Sequence, residues 1–208
     1  MKLKLRNLLL YFIYWLFFFQ FGRLLFFTFT KAHSTQFSIS VLGEAMLHAL
    51  WLDASVAGYY NLFFGLMLVA GIFAPKRFQK IFFIFHGIIL GISCLAIICN
   101  AVLYVYWSGP LDYNAIKYLQ HPAEAAASIN WFLMIIPILC GIILFVAFQY
   151  LFKRLQFGCF ENIPKTHPTK IIQTCVLLFF TVTMIIPIRG GFGIVPVCLL
   201  YTSPSPRD

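Results

Sequence analysis

Two arginines and two aspartates hold most of the chemistry this sequence offers. Arg23 lies inside an apolar run from Leu8 to Phe29. A guanidinium at the centre of a bilayer costs at least about 2.5 kcal/mol unless it is paired or reaches the headgroups. Two readings stand for it: snorkelling to outer headgroups, and contact with an anionic lipid. Asp53 or Asp112 could supply its partner from the connections on the same side. Asp53 also precedes Ala54 and Ser55 where a helix is expected to start, so capping a free amide is an equal reading for it. Arg189 is followed by Gly190 and Gly191. Glycine lets consecutive amides turn toward one anion, and arginine adds a fork of donors suited to phosphate; a flexible exit turn is the alternative. Arg23, Asp53, Asp112, Arg189, Gly190 and Gly191 are therefore the candidates for lipid or interdomain contact.

No residue is assigned a catalytic or metal-binding role. There is no GxSxG elbow, no HExxH, no GxxxxGK[ST] phosphate loop and no glycine fingerprint between a strand and a helix. His33, His48, His86, His121 and His167 are dispersed, and only His86 falls near the interior of an apolar run, where helix packing and a proton relay compete as readings. Cys94, Cys99, Cys140, Cys159, Cys175 and Cys198 form no CxxC pair and no alternation with His, so neither a metal site nor a disulfide framework is implied.

The elements that position these residues follow from solvent. Of 208 residues 62% are hydrophobic and 10% charged, with 25 Phe, a balance too apolar for a soluble domain. Spans are expected at Leu8 to Phe29, Val56 to Ala74, Ile81 to Tyr106, Trp131 to Phe152 and Ile171 to Ile188. Lipid offers backbone groups no partner, which makes each span a helix and the fold class an all-α, polytopic membrane protein of about five transmembrane helices. Pro137 and Pro187 are expected to kink the fourth and fifth. Gly87 and Gly91 share a face of the third, where another helix can approach. The segment from Phe37 to Leu52 reads as an interfacial helix on the outer leaflet.

Orientation comes from Lys and Arg. Lys2, Lys4 and Arg6 precede the first span, Lys76, Arg77 and Lys80 lie between the second and third, and Lys153, Arg154, Lys165 and Lys170 lie between the fourth and fifth. The other connections carry Lys31 and Lys117 against Glu44, Asp53, Asp112 and Glu124. The amino terminus is thus expected to be cytoplasmic and Arg189 extracytoplasmic. The net charge of +9 is spent on this topology, and nucleic acid is not an expected partner. The first apolar run is too long for a signal-peptide core and lacks a cleavage site, so it is read as a retained helix. Residues Cys198 to Asp208, CLLYTSPSPRD, are what one frame of a widely used transposase sequencing adapter encodes. The native sequence is expected to end near Val197, inside a longer protein.

Three stretches suggest a family: LHALWLDASVAGYYNL from Leu47 to Leu62, YLQHPAEAAASI from Tyr118 to Ile129, and PIRGGFGIVP from Pro187 to Pro196. With five spans around them, they resemble the amino-terminal membrane domain of lipoteichoic acid synthase and phosphoglycerol transferase type proteins, of the alkaline phosphatase and sulfatase superfamily. The resemblance implies a bacterial cytoplasmic membrane and an extracytoplasmic catalytic domain beyond these residues. That domain would carry a Thr nucleophile and a divalent metal, and take phosphoglycerol from an anionic phospholipid or related donor. No cofactor belongs to the residues present. Ala49 and Trp51 stand where the family form has Gly and Arg, which points to a divergent branch with an altered substrate. Two other classes compete: a transporter with Arg23, His86 and Asn100 on a polar path, and a non-catalytic membrane scaffold that docks through the Gly87 face.

Overall fold

A computed structural model describes residues 2–33, 39–107, 131–155 and 167–189. They form α1 (Lys2–His33), α2 (Ile39–Ala70), α3 (Pro75–Trp107), α4 (Trp131–Leu155) and α5 (His167–Thr183), with a short helical extension over Ile185–Ile188. Among the described residues there is no strand. Among the described residues five helices are long and apolar enough to cross a membrane, over Leu5–Thr30, Leu42–Ala70, Lys76–Val105, Ile135–Leu155 and Pro168–Ile188. The protein is an all-α, multi-pass membrane protein.

Side chains are sorted as a hydrocarbon solvent requires. Asn7, Asn61, His86, Gln173 and Thr181 are buried between helices, while Ile13, Phe17, Ile92, Ile143 and Phe179 face outward. A soluble bundle would reverse many of these positions, because water solvates amides and hydroxyls and lipid does not.

The bundle is built around α1, which touches each of the other four long helices; α3 packs along α4, and α5 along α2. Tyr11, Tyr14, Trp15 and Phe18 are buried at i, i+3, i+4 and i+7 on α1 and make a continuous aromatic stripe. Phe82, near the start of α3, meets both Tyr11 and Phe152, and the Lys153 ammonium lies 5.3 Å from the Phe83 ring centre. The starts of α1 and α3 therefore share one end of the bundle with the finish of α4. At the opposite end Arg23 meets Asp53, and Phe26 meets Tyr104. Thr181 lies against Gly65 and Ile188 against Gly58, so α5 runs antiparallel to α2. The alternating path brings Arg6, Lys76, Arg77, Lys80, Lys153, Arg154 and Lys170 to one end, as the Lys and Arg distribution predicts.

Two expectations about α2 are overturned. The helix is continuous from Ile39 to Ala70, so residues 39–52 form its first turns and not a separate helix on the membrane surface. Asp53 accordingly sits in the helix interior and caps nothing. The sequence holds no proline between Ile39 and Ala70 to stop the helix, and an ion pair makes burial of the Asp53 carboxylate tolerable.

Pro137 lies inside α4 without interrupting it. Pro187 has a visible effect: the helix breaks at Met184, next to Thr183, whose carbonyl lies four residues before the proline and loses its donor there. Met184 N–H donates instead to Thr181 O at 3.1 Å. Asp112, Gly190, Gly191, the stretch Tyr118 to Ile129 and the tail Cys198 to Asp208 lie outside the described residues.

Candidate functional site

At the end of the bundle away from the basic clusters, Arg23 of α1 reaches Asp53 of α2 in a two-pronged ion pair. Nη1 donates to Oδ2 at 2.7 Å and Nη2 to Oδ1 at 3.0 Å. Gln20 precedes Arg23 by one turn on the same face of α1 and completes the group. Its Nε2 donates to Asp53 Oδ2 at 2.8 Å and to the Met46 carbonyl at 3.3 Å. The carboxylate thus accepts three bonds, and the guanidinium is neutralised by a partner whose planar geometry matches its own. Of the two carboxylates the sequence offered as a partner for Arg23, Asp53 meets its charge within the bundle.

Beside the pair lies a half-open cavity of about 280 Å³. Arg23, Asp53 and Asn100 supply its polar wall; Phe19, Gly22, Phe26, Phe27, Ala45 and Ile97 supply the rest. At position 22 a Cβ would come within 2.5 Å of Ile97 Cδ1, so a larger residue there would have to displace that side chain. The site therefore combines a paired charge with aromatic surface, which suits an amphiphile with a polar head.

His86 has a different setting nearer the basic end. It is fully buried, and its ring stacks on Phe152 with centres 3.6 Å apart and planes 15° apart. Tyr14 O–H donates to the Phe148 carbonyl at 3.2 Å. Having given its one proton there, Tyr14 is left to accept from His86 Nε2–H at 3.3 Å, and Nδ1 is left to accept from Tyr11 O–H at 3.1 Å. This assignment satisfies every member with a neutral imidazole in one tautomer. The four groups tie α1, α3 and α4 together without a net charge in the membrane, which gives His86 a packing role.

The remaining candidates separate. Arg189 is exposed and closes the final turn, its N–H donating to Ile185 O at 3.0 Å. Ser55 Oγ donates to Ile188 O at 2.9 Å and so fixes the exit of α5 against α2. Two residues along a helix are a rotation of about 200°, so Asp53 faces α1 while Ser55 faces α5. Arg189 therefore stands on the far side of α2 from the Arg23 and Asp53 pair. Among the described residues no group of three or more His, Cys, Asp or Glu is placed to hold a metal ion.

Sequence reasoning named Arg23 and Asp53 but missed Gln20, Tyr11, Tyr14 and Ser55. The signal for Gln20 was present in its spacing of three from Arg23. The tyrosines carried no such signal, because their partners lie 75 and 72 residues away in sequence. Together the fold and this site define a multi-pass helical membrane protein with an internally paired charge facing a small amphipathic cavity. No family model matches the chain, and neither a curated protein nor a solved structure matches it.

Proposed function

We propose that this bundle is the membrane anchor of an enzyme similar to lipoteichoic acid synthase, a transferase that moves phosphoglycerol or a related headgroup outside the bacterial cytoplasmic membrane. The observation that carries the reading is the exit of α5. Ile188 is bonded to Ser55 at the end of the bundle opposite the basic clusters, which supports an extracytoplasmic exit for the chain following Arg189. A catalytic domain attached there would face the outer leaflet, where a phospholipid donor presents its headgroup.

The cavity beside Arg23 and Asp53 opens at that same end and fits the reading as a contact for lipid or for the attached domain. The divalent metal and the nucleophile would both belong to the attached domain. A transporter is less well supported, because Arg23 is already paired with Asp53 and His86 is sealed among aromatic rings.

Reading the gene past codon 197 from long genomic DNA tests the proposal. The expected result is an open frame that continues into a metal-dependent α/β domain of a few hundred residues. A native stop codon soon after Val197 overturns it.

A further inference from the structure

Where α3 begins and α4 ends, five cations come together at one membrane interface. Lys76, Lys80 and Phe83 fall at i, i+4 and i+7 and therefore share a face of α3. The Lys153 ammonium lies 5.3 Å from the Phe83 ring centre, which brings the end of α4 onto that face. Arg77 and Arg154 flank the junction, and all five basic side chains are exposed. Only two acidic residues, Glu44 and Asp53, occur among the described residues, and Asp53 belongs to the opposite end. Among the described residues the cations consequently have no carboxylate to neutralise them at this junction.

One of them is already oriented. Arg154 donates from Nε and Nη2 to the Tyr150 hydroxyl at 3.1 and 2.9 Å, and its guanidinium carbon lies 5.5 Å from the ring centre of the same tyrosine. With its oxygen accepting from Arg154, the Tyr150 hydroxyl has its own proton to give outward, beside the unused Nη1 donors. Tyr150 is 59% exposed and stands one turn above Arg154, at the depth where an aromatic ring with a polar edge meets lipid headgroups.

We propose that the α3 and α4 junction binds an anionic phospholipid of the cytoplasmic leaflet, and that it favours a headgroup carrying two phosphates over one carrying a single phosphate. Charge complementarity selects the occupant. Two arms of cations, Lys76 and Lys80 on α3 and Lys153 and Arg154 on α4, can each face one phosphate, while Phe83 and Tyr150 offer ring surface to the glycerol and upper acyl chain. A basic pocket between transmembrane helices on the cytoplasmic side is the setting in which such headgroups are held. This inference is independent of the proposed function, since it uses neither the outer cavity nor the exit of α5.

The test is lipid retention by the purified full chain, measured by native mass spectrometry after extraction from phosphatidylcholine vesicles doped with cardiolipin or with phosphatidylglycerol. The wild-type chain is expected to retain cardiolipin in preference to both other lipids. K80Q/K153Q should lower cardiolipin retention by roughly tenfold or more, since each basic group near an anionic surface contributes about a fivefold factor. K80R/K153R, which keeps both charges, should retain the lipid as wild type does and guards against loss through misfolding. K170Q removes a charge from α5 at the same end and should change retention less than about twofold. Equal retention by K80Q/K153Q and wild type overturns the site, and so does a loss in K170Q as large as that in K80Q/K153Q.

Discussion

Asp53 and Arg23 are worth more as a pair than either is alone. The Asp53 side chain is 7% exposed and that of Arg23 is 24% exposed, so removing the carboxylate leaves a guanidinium half inside the bundle with no counter-charge. Breaking a buried pair by deleting one partner typically costs about 3–5 kcal/mol, and the partial exposure of Arg23 lowers the expected figure to about 2–3 kcal/mol. Asp53→Leu should therefore lower the thermal unfolding midpoint in detergent micelles markedly. Arg23→Leu/Asp53→Leu should recover most of the loss, because two apolar groups of similar volume suit this solvent. A double-mutant cycle supplies the check: additive losses from the single variants would mean that the contact carries no coupling energy. The sequence narrowed the partner of Arg23 to Asp53 or Asp112, without choosing between them and without disclosing that Gln20 joins the pair.

At the level of the helices, close approach falls on glycines that the sequence did not single out. Gly87 and Gly91 stand out by eye as GIILG, yet the nearest heavy atoms to a Cβ there are Gln149 Nε2 and Phe145 Cε2, each at 3.8 Å. Gly65 is different, because its Cβ would overlap Thr181 Oγ1 and come within 2.9 Å of Thr181 Cβ, an atom fixed to the backbone of α5. Gly65→Ala should accordingly push α5 off α2 and destabilise the bundle by about 1–3 kcal/mol. Gly87→Ala and Gly91→Ala should stay within about 0.5 kcal/mol of wild type or gain slightly from helix propensity. Thermal unfolding of the three variants, side by side, decides the matter; equal losses at Gly65 and Gly87 would contradict the packing described. The number of spans was readable from hydropathy because lipid enforces long apolar helices. The start of α2 was misplaced because Glu44, His48 and Asp53 lower the local hydropathy, although α2 tolerates all three, with Asp53 paired and Glu44 and His48 exposed. Which helices touch was not readable, since apolar side chains such as Phe17 and Phe18 occupy lipid-facing and buried positions alike.

For the molecule as a whole, the direction of each helix is the property on which any assignment of sides depends. The contacts settle relative direction: Lys153 lies on Phe83, Ser55 holds Ile188, and these two junctions are at opposite ends of the bundle. The excess of Lys and Arg at the Lys153 end then predicts absolute direction, because basic residues in short connections are retained on the cytoplasmic side. Both steps make one claim about accessibility. In a background with all six cysteines replaced, Lys153→Cys should resist a membrane-impermeant maleimide in intact cells and react once the cells are permeabilised. Arg189→Cys should react in intact cells, since Arg189 is exposed and follows a helix whose exit is tied to the other end. Reaction of both positions in intact cells would place Lys153 outside as well and overturn the threading proposed for α4, although chain beyond Arg189 would still begin at the outer surface. Protection of both would reverse the absolute direction of α5 and remove the ground for an extracytoplasmic catalytic domain. Opposite accessibility, with Arg189 outside, is the result expected of a bundle that keeps its basic end in the cytoplasm and presents its following chain to the outer leaflet.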